Sequence, residues 1–562
     1  MQIAPAEKTE LSRYEIPLSE AKAKQWIDSL SSTDTGETTR RVFYGLVDFN
    51  RRMVPPAVRI RIAERLRPKF ELLHVNLKRH LKSQSFPLAP RSQKISDLNQ
   101  SLLLEYAGLY QLSVLDMINQ DVERKKALQV SIFRVINYLG KYLFSSYSVY
   151  SRTGETVWRD IHHMYLLASE RGLEKLKISG DDAKASSIEE HYLQLNLLAL
   201  CKPYSLRQEE VLRLENFIKE NIKSVSLTKE PINEELLGNF VHAVIMNNDE
   251  PAVIMPYGDM PHSPTVRVFN IRALVMKLNE LIGTGNDEHS ARLVLGNVLS
   301  RNLAKRIIYH LTTVRNRQHN RVDCDEEIMV VMGMQPVHRV IDNSRKQGNG
   351  DMQREEDLLF NNMLYGESTV APDAAEPEAV SSRLSPQDRE SGVRIWRIKN
   401  SSVGGYGLHW DTADSSPAKV GELVGLRDMR EQDNPWMTGV VKWMEYLPKQ
   451  GLFCGVELLS VETRVCEINQ IVNRTLNHNL PIEGLMLPAI EGLREEAVFI
   501  LPAYIFIPGD ELNVKYDGRE ERVTLSTLDE CLGTFAHFNF KVIEKDADAN
   551  ATDDFADLWD AL

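Results

Sequence analysis

The sequence predicts an α+β chain: an N-terminal all-α bundle or irregular solenoid, then an antiparallel β-barrel, then an additional β segment. Two changes of pattern predict this. Apolar residues recur at helical spacing through most of residues 1–314. After Arg321 the period falls to two, and short apolar runs alternate with turn residues. A composition of 43% hydrophobic and 26% charged residues over 562 positions is that of a folded globular chain. It leaves room for about four domain-sized units.

The helical elements follow in order. Pro55 and Pro56 precede a stretch in which Ile60, Ile62, Leu66, Phe70, Leu73 and Val75 fall near one helical face. Further helices are expected over 92–120, 123–150, 155–175, 187–200 and 206–223. Polar or proline-containing breaks such as SQSFPLAPRSQ separate them, so neighbouring helices should pair antiparallel. A break near 224–265 divides this region. There VHAVIMNN and PAVIMPYG read as short strands. Helices resume near 271–281 and 290–311.

The barrel region is read as 315–460. EEIMVVMGM is its first strand, and the polar stretch 343–392, rich in Pro, Ser, Ala and Glu, reads as a flexible insertion. Alternating runs follow: RIWRIKN, GYGLHWD, GELVGLRD, WMTGVVKWMEY and LFCGVELLS. A second β segment, 461–545, contains KYDGREERV, where Asp-Gly between two alternating runs predicts a hairpin. The acidic tail 546–562 places Phe555, Leu558, Trp559 and Leu562 on one helical stripe against an aspartate face. Either this tail or the helical region is where a protein partner would dock.

Charge and cysteine usage narrow the function. The net charge is −12, and the six aspartates of 546–562 supply half of it. Electrostatic binding to nucleic acid or anionic lipid is therefore not expected, while a local basic site for a small anion is. The basic run TTVRNRQHNR is the weaker case for a nucleic-acid arm. Five scattered cysteines without CxxC spacing imply reduced thiols, a cytoplasmic location and no metal site. No apolar run reaches the length of a membrane-spanning helix, and the N-terminus shows no apolar leader segment.

Two short motifs carry the chemistry. Arg317 and Arg321 form Arg-x3-Arg, with Arg315 just upstream, before the first barrel strand. Asn400, Ser402, Gly404 and Gly405 lie at the end of the strand RIWRIKN. An arginine fork matches phosphate oxygens or the O6/N7 edge of guanine bidentately. Asn400 and Ser402 offer short polar side chains, and the two glycines permit positive φ and close backbone approach. No Walker loop, HExxH, GxSxG or dinucleotide fingerprint occurs, so no catalytic residue, cofactor or enzymatic activity is expected. His162 and His163 read as core or surface histidines. Trp396, Trp410, Trp436 and Trp443 read as barrel core or rim, with Trp410 the best stacking candidate of the four.

The order of these features resembles the PilZ family over about residues 315–460. Arg-x3-Arg is followed by a strand, Asn-x-Ser-x-x-Gly, the strand Gly439-Val-Val-Lys-Trp443, and Gly455-Val-Glu457. The resemblance implies a six-stranded β-barrel and a bacterial receptor for the second messenger cyclic di-GMP. It implies ligand contacts from Arg315, Arg317, Arg321, Asn400, Ser402, Gly404 and Gly405. The long insertion, the helical region and the second β segment depart from the compact form of that family. A barrel that has lost its ligand and serves as a scaffold is the alternative.

Overall fold

The computed structural model describes residues 14–543 apart from 32, 83, 121–124, 179–185, 230–238, 284–298, 315–320, 347–383, 413, 430–433, 474–480, 491–495 and 532–533. The chain divides into two compact units. One comprises Met1–Gln318, Thr412–Ser416 and Met444–Phe453; the other holds the rest.

The first unit begins with helices α1 (Glu20–Asp28), α2 (Thr35–Arg51), α3 (Pro56–Arg79), α4 (Pro90–Asn119), α5 (Lys125–Ser148), α6 (Val157–Glu170), α7 (Ile188–Leu200) and α8 (Gln208–Asn221). Their starts follow local rules. Pro56 and Pro90 occupy the first helical turn, where the missing N–H costs nothing. Ser187 and Glu190 close a capping box on α7. The centre is aromatic: Phe70 stacks on Tyr106 at 3.9 Å between centroids, and Tyr138 meets Tyr106 edge-on at 4.6 Å. Beside these rings, Arg134 donates to Glu64 at 2.9 Å and Lys141 to Glu71 at 2.6 Å, tying α5 to α3.

The two strands read in the 224–265 break are joined by two more. β1 (Ser226–Thr228), β2 (Phe240–Ile245), β3 (Val253–Pro256) and β4 (Val266–Asn270) form an antiparallel sheet in the order β1-β4-β2-β3. Helices α9 (Arg272–Gly283) and α10 (Arg301–Thr312) follow. The unit is thus helical with a small sheet set into it.

In the second unit, β5 (Val322–Met332) leads into a helix over 334–346, α11. The sequence reading had begun a flexible insertion at 343, and this helix corrects it. Gly333, at φ 101°, ends the strand. Val337, Val340 and Ile341 then repeat at helical spacing and are buried. The central part of the expected insertion lies outside the described residues; it returns as α12 (Pro386–Glu390).

β6 (Arg394–Ser402), β7 (Gly405–Trp410), β8 (Leu423–Asp428), β9 (Met437–Leu447) and β10 (Gly451–Ser460) join β5 in a closed barrel, ordered β10-β7-β6-β5-β8-β9. The additional β segment closes separately. β11 (Arg464–Ile471), β12 (Ile482–Leu487), β13 (Val498–Pro502), β14 (Glu511–Tyr516), β15 (Arg519–Cys531) and β16 (Phe535–Val542) form a second barrel, ordered β11-β12-β13-β16-β15-β14. Met334, Val337, Val340 and Ile341 of α11 share one apolar core with Val331, Leu423 and Val440 of the first barrel and Leu485, Leu487 and Phe535 of the second. The expected Asp-Gly hairpin is present, with Asp517 and Gly518 both at positive φ between β14 and β15. The acidic tail with Phe555, Leu558, Trp559 and Leu562 lies outside the described residues.

Candidate functional site

The first barrel brings Arg321 and the Asn400–Gly405 turn to one strand end. β5 and β6 run antiparallel with Val322 opposite Ser401 and Asp323 opposite Asn400. Arg321 immediately precedes Val322, so the register carries it toward Ser402. Its side chain is exposed and makes no ion pair with any described residue. Arg315 and Arg317 lie outside the described residues.

Asn400, Ser402, Gly404 and Gly405 shape the β6–β7 turn. Ser402 pairs with Gly405 across it, and Ser402 Oγ donates to the Gly405 carbonyl at 3.3 Å. Gly405 has φ 147°, and a Cβ there would lie 2.0 Å from the Val456 carbonyl oxygen. Only glycine permits that approach. The Leu458 amide donates to the Gly404 carbonyl at 3.0 Å. The turn is therefore held against the strand that carries Gly455-Val-Glu457.

The other motif glycines act the same way. A Cβ at Gly439 would meet the Glu457 carbonyl at 2.8 Å, and one at Gly455 would overlap the indole of Trp443. Lys442 pairs with Glu457 at 2.8 Å. The GVVKW and GVE strands are thus spaced by their glycines, and Trp443 lies across one of them.

Sequence reasoning missed Gly407. A Cβ there would sit 2.6 Å from Asn400 Oδ1 and 3.1 Å from Nδ2, so the bare Cα makes room for the Asn400 amide. The signal was present in the second glycine of the run GYGLHWD. Trp410 is barrel core, as expected, and is not placed to stack at the turn. Trp410 lies at the end of β7 remote from the turn, is 7% exposed, and packs on Trp396 at 5.1 Å. Trp396 and Trp436 are buried as well. His162 is a core histidine, bonded to Tyr192 Oη at 2.7 Å and the Glu250 carbonyl at 2.8 Å.

The charges along β6 are of both signs. Lys399 reaches Asp325 at 3.2 Å, and Arg397 reaches Asp411 at 3.1 Å. The Lys399 ammonium holds the Asp325 carboxyl below the usual carboxylate range. These cations are partnered by carboxylates, whereas Arg321 is exposed and no ion pair to a described residue is seen for it. An exposed guanidinium at the strand end that carries an amide and a hydroxyl can bind an anion with a hydrogen-bonding edge. Among the described residues no group of His, Cys, Asp or Glu is arranged to hold a metal. No described helix is long and apolar enough to cross a membrane.

Comparison with known proteins adds to this geometry. Residues 21–231 match the family model of the N-terminal domain of the cyclic-di-GMP receptor FimW. Residues 341–464 match its middle PilZ domain, and 467–543 its C-terminal β-barrel domain. The PilZ match begins downstream of Arg321 and β5. The cyclic-di-GMP receptor FimW of Pseudomonas aeruginosa is 24% identical over 556 residues, covering 93% of this chain and 90% of that protein. No solved structure matches significantly. With a closed six-stranded barrel, an Asn-x-Ser turn pinned by motif glycines, and helical and barrel regions on either side that match the same receptor, this chain belongs to the PilZ family and carries a large N-terminal helical extension.

Proposed function

We propose that this protein is a cyclic di-GMP receptor that couples ligand binding at the first barrel to protein–protein interactions of its helical region. The register Val322 to Ser401 and Asp323 to Asn400 carries the reading, because it brings the Arg321 strand end beside Asn400 and Ser402. The relative that spans most of the chain is named as a receptor for that messenger, which supports the same ligand.

The ligand has two phosphates and two guanines. Arg315, Arg317 and Arg321 supply guanidinium forks to phosphate or to the guanine O6/N7 edge. Asn400 and Ser402 bond a base edge, exposed Gly404 lets the ligand approach the backbone, and Gly405 holds the turn against Val456 for that approach. No bond is made or broken, so the site needs no catalytic group. We assign the helical region to 1–314, the receptor barrel to 315–460, the second barrel to 461–545 and the acidic tail to 546–562. The helical region or the tail residues Phe555, Leu558, Trp559 and Leu562 would carry the partner contact.

Titration calorimetry of the full chain with cyclic di-GMP tests the reading. Arg317→Ala and Arg321→Ala should each weaken binding roughly 10- to 150-fold, the equivalent of a charge-assisted hydrogen bond of about 1.5–3 kcal/mol. No heat with the wild-type chain would leave a scaffold with a degenerate barrel. A pull-down with and without ligand, using the double arginine variant as control, tests the coupling.

A further inference from the structure

We propose that Asp323 reads the donor edge of a bound guanine, its carboxylate accepting from the base N1–H and 2-amino group, and so selects guanine over adenine. The inference rests on the cyclic di-GMP reading and adds to it a specificity-determining residue that belongs to neither motif.

The register places Asp323 among the motif residues. It lies directly opposite Asn400 across the β5–β6 pair. Directly opposed residues share one face of a sheet, with Cβ atoms roughly 4.5–5.5 Å apart. Alternation puts Arg321, two residues before Asp323, and Ser402, two beyond Asn400, on that same face. The residues between them occupy the other face: Val322 opposes Ser401, and Cys324 Sγ lies 3.8 Å from Ser401 Oγ.

Asp323 is exposed, and it has no hydrogen bond or ion pair to a described residue. The carboxylates nearby differ: Asp325 is held by Lys399 and Asp411 by Arg397. Asn400 does not engage Asp323 either, because its amide lies over the bare Cα of Gly407 on the next strand. β6 runs between β5 and β7, so the Asn400 amide leans away from Asp323 and leaves that carboxylate open. Charge decides what it can bind. The phosphates of the ligand are repelled by a carboxylate, so Asp323 is useful only where it faces hydrogen-bond donors. An ionised carboxylate only accepts. Guanine presents O6 and N7 as acceptors, which suit an arginine fork. Its N1–H and 2-amino group are paired donors, which suit Asp323. Adenine has no proton on N1 and no 2-amino group, so it would turn a lone pair toward Asp323.

The test is calorimetry on the full chain with cyclic di-GMP, cyclic di-AMP and cyclic di-IMP, whose hypoxanthine bases lack the 2-amino group. Wild type should bind cyclic di-GMP most tightly. Asp323→Ala should weaken cyclic di-GMP binding roughly 10- to 150-fold, as for a lost charge-assisted hydrogen bond, and narrow the preference over cyclic di-AMP by a similar factor. Asp323→Asn keeps one acceptor and should fall between wild type and alanine. Cyclic di-IMP, with one donor fewer, should lose less than cyclic di-GMP. Unchanged or tighter binding of cyclic di-GMP by Asp323→Ala overturns the inference, since the carboxylate is then merely solvated or repels the ligand. Equal weakening of all three ligands also overturns it, since Asp323 then holds an arginine or a ribose and reads no base. Either result leaves the receptor reading standing. No binding of cyclic di-GMP by the wild type removes the receptor reading, and this inference with it.

Discussion

Asn400 lies against the bare Cα of Gly407, its partner across the β6–β7 pair: a methyl group at 407 would stand 2.6 Å from Asn400 Oδ1. The neighbouring Gly405 is confined differently, by the backbone carbonyl of Val456 at 2.0 Å from any Cβ. The two glycines should therefore fail in different ways. Gly407→Ala meets a side chain that can rotate aside, so it should leave stability nearly intact and weaken cyclic di-GMP binding about tenfold through the displaced amide. Gly405→Ala meets backbone and a strained φ, so it should cost more than about 2 kcal/mol of stability. Calorimetry and denaturant unfolding on the same two variants separate these outcomes.

His162 should make the helical unit sensitive to acid. Burial lowers its pKa to about 4, although the Glu250 carbonyl opposes the shift. The unfolded histidine titrates near 6.5. Below that value the unfolded chain binds a proton that the folded chain refuses, so stability falls as pH decreases. The loss should run between about pH 6.5 and 4, with a slope approaching ~1.4 kcal/mol per pH unit for this one group. Above pH 6.5 His162 should contribute no pH dependence. Unfolding followed by helical circular dichroism should show a shallower slope across that window in His162→Gln.

Within the first unit, the end of the β9–β10 hairpin is joined to the loop after α5 by both side-chain and backbone bonds. Arg152 pairs bidentately with Glu445 at 2.9 Å, yet its side chain is 59% exposed. The Tyr446 amide donates to the Tyr150 carbonyl at 2.6 Å, and the Arg152 amide to the Tyr446 carbonyl at 3.2 Å. Solvent screening should hold the cost of Arg152→Ala to about 0–1 kcal/mol. Tyr446→Pro removes a backbone donor and should cost more, about 2 kcal/mol. Equal effects in denaturant unfolding would show that the ion pair carries the join.

Asp517 serves two roles at once. It takes a positive φ of 48° in the β14–β15 turn, and it accepts from Arg345 at 2.6 Å and Arg464 at 2.8 Å. Asp517→Asn keeps a residue that tolerates the left-handed region and should cost about 1 kcal/mol, a difference that shrinks in high salt. Asp517→Ala loses the ion pairs and adds backbone strain, so it should cost about 1 kcal/mol more than the asparagine variant. Thermal unfolding at low and high salt checks both.

Much of the fold was legible because its signals are local. Helical spacing located α3 to α8, and alternation located the barrel strands. The end of the helix 334–346 was not legible because its polar C-terminal end, Asp342–Lys346, runs directly into a low-complexity stretch, while most partners of its buried face, from Leu384 to Phe535, lie far away in sequence. Trp410 is barrel core or rim as read, but its distance from the turn was not legible, for a related reason. Nearness in sequence to the turn says nothing of which strand end a residue occupies, and β7 carries Trp410 to the other end.

By itself the sequence determined the order of helical and β regions, the Asp-Gly hairpin, and the motif residues from Arg321 to Gly405, since periodicity, turn chemistry and residue type are properties of neighbouring positions. The tertiary structure alone decided that β11–β16 close into their own barrel and that α11 shares a core with both barrels. It alone decided that Asn400 rests on Gly407 and that Val456 confines Gly405. Strand pairing and close backbone approach join residues far apart in the chain, and no local pattern encodes which strand lies next to which.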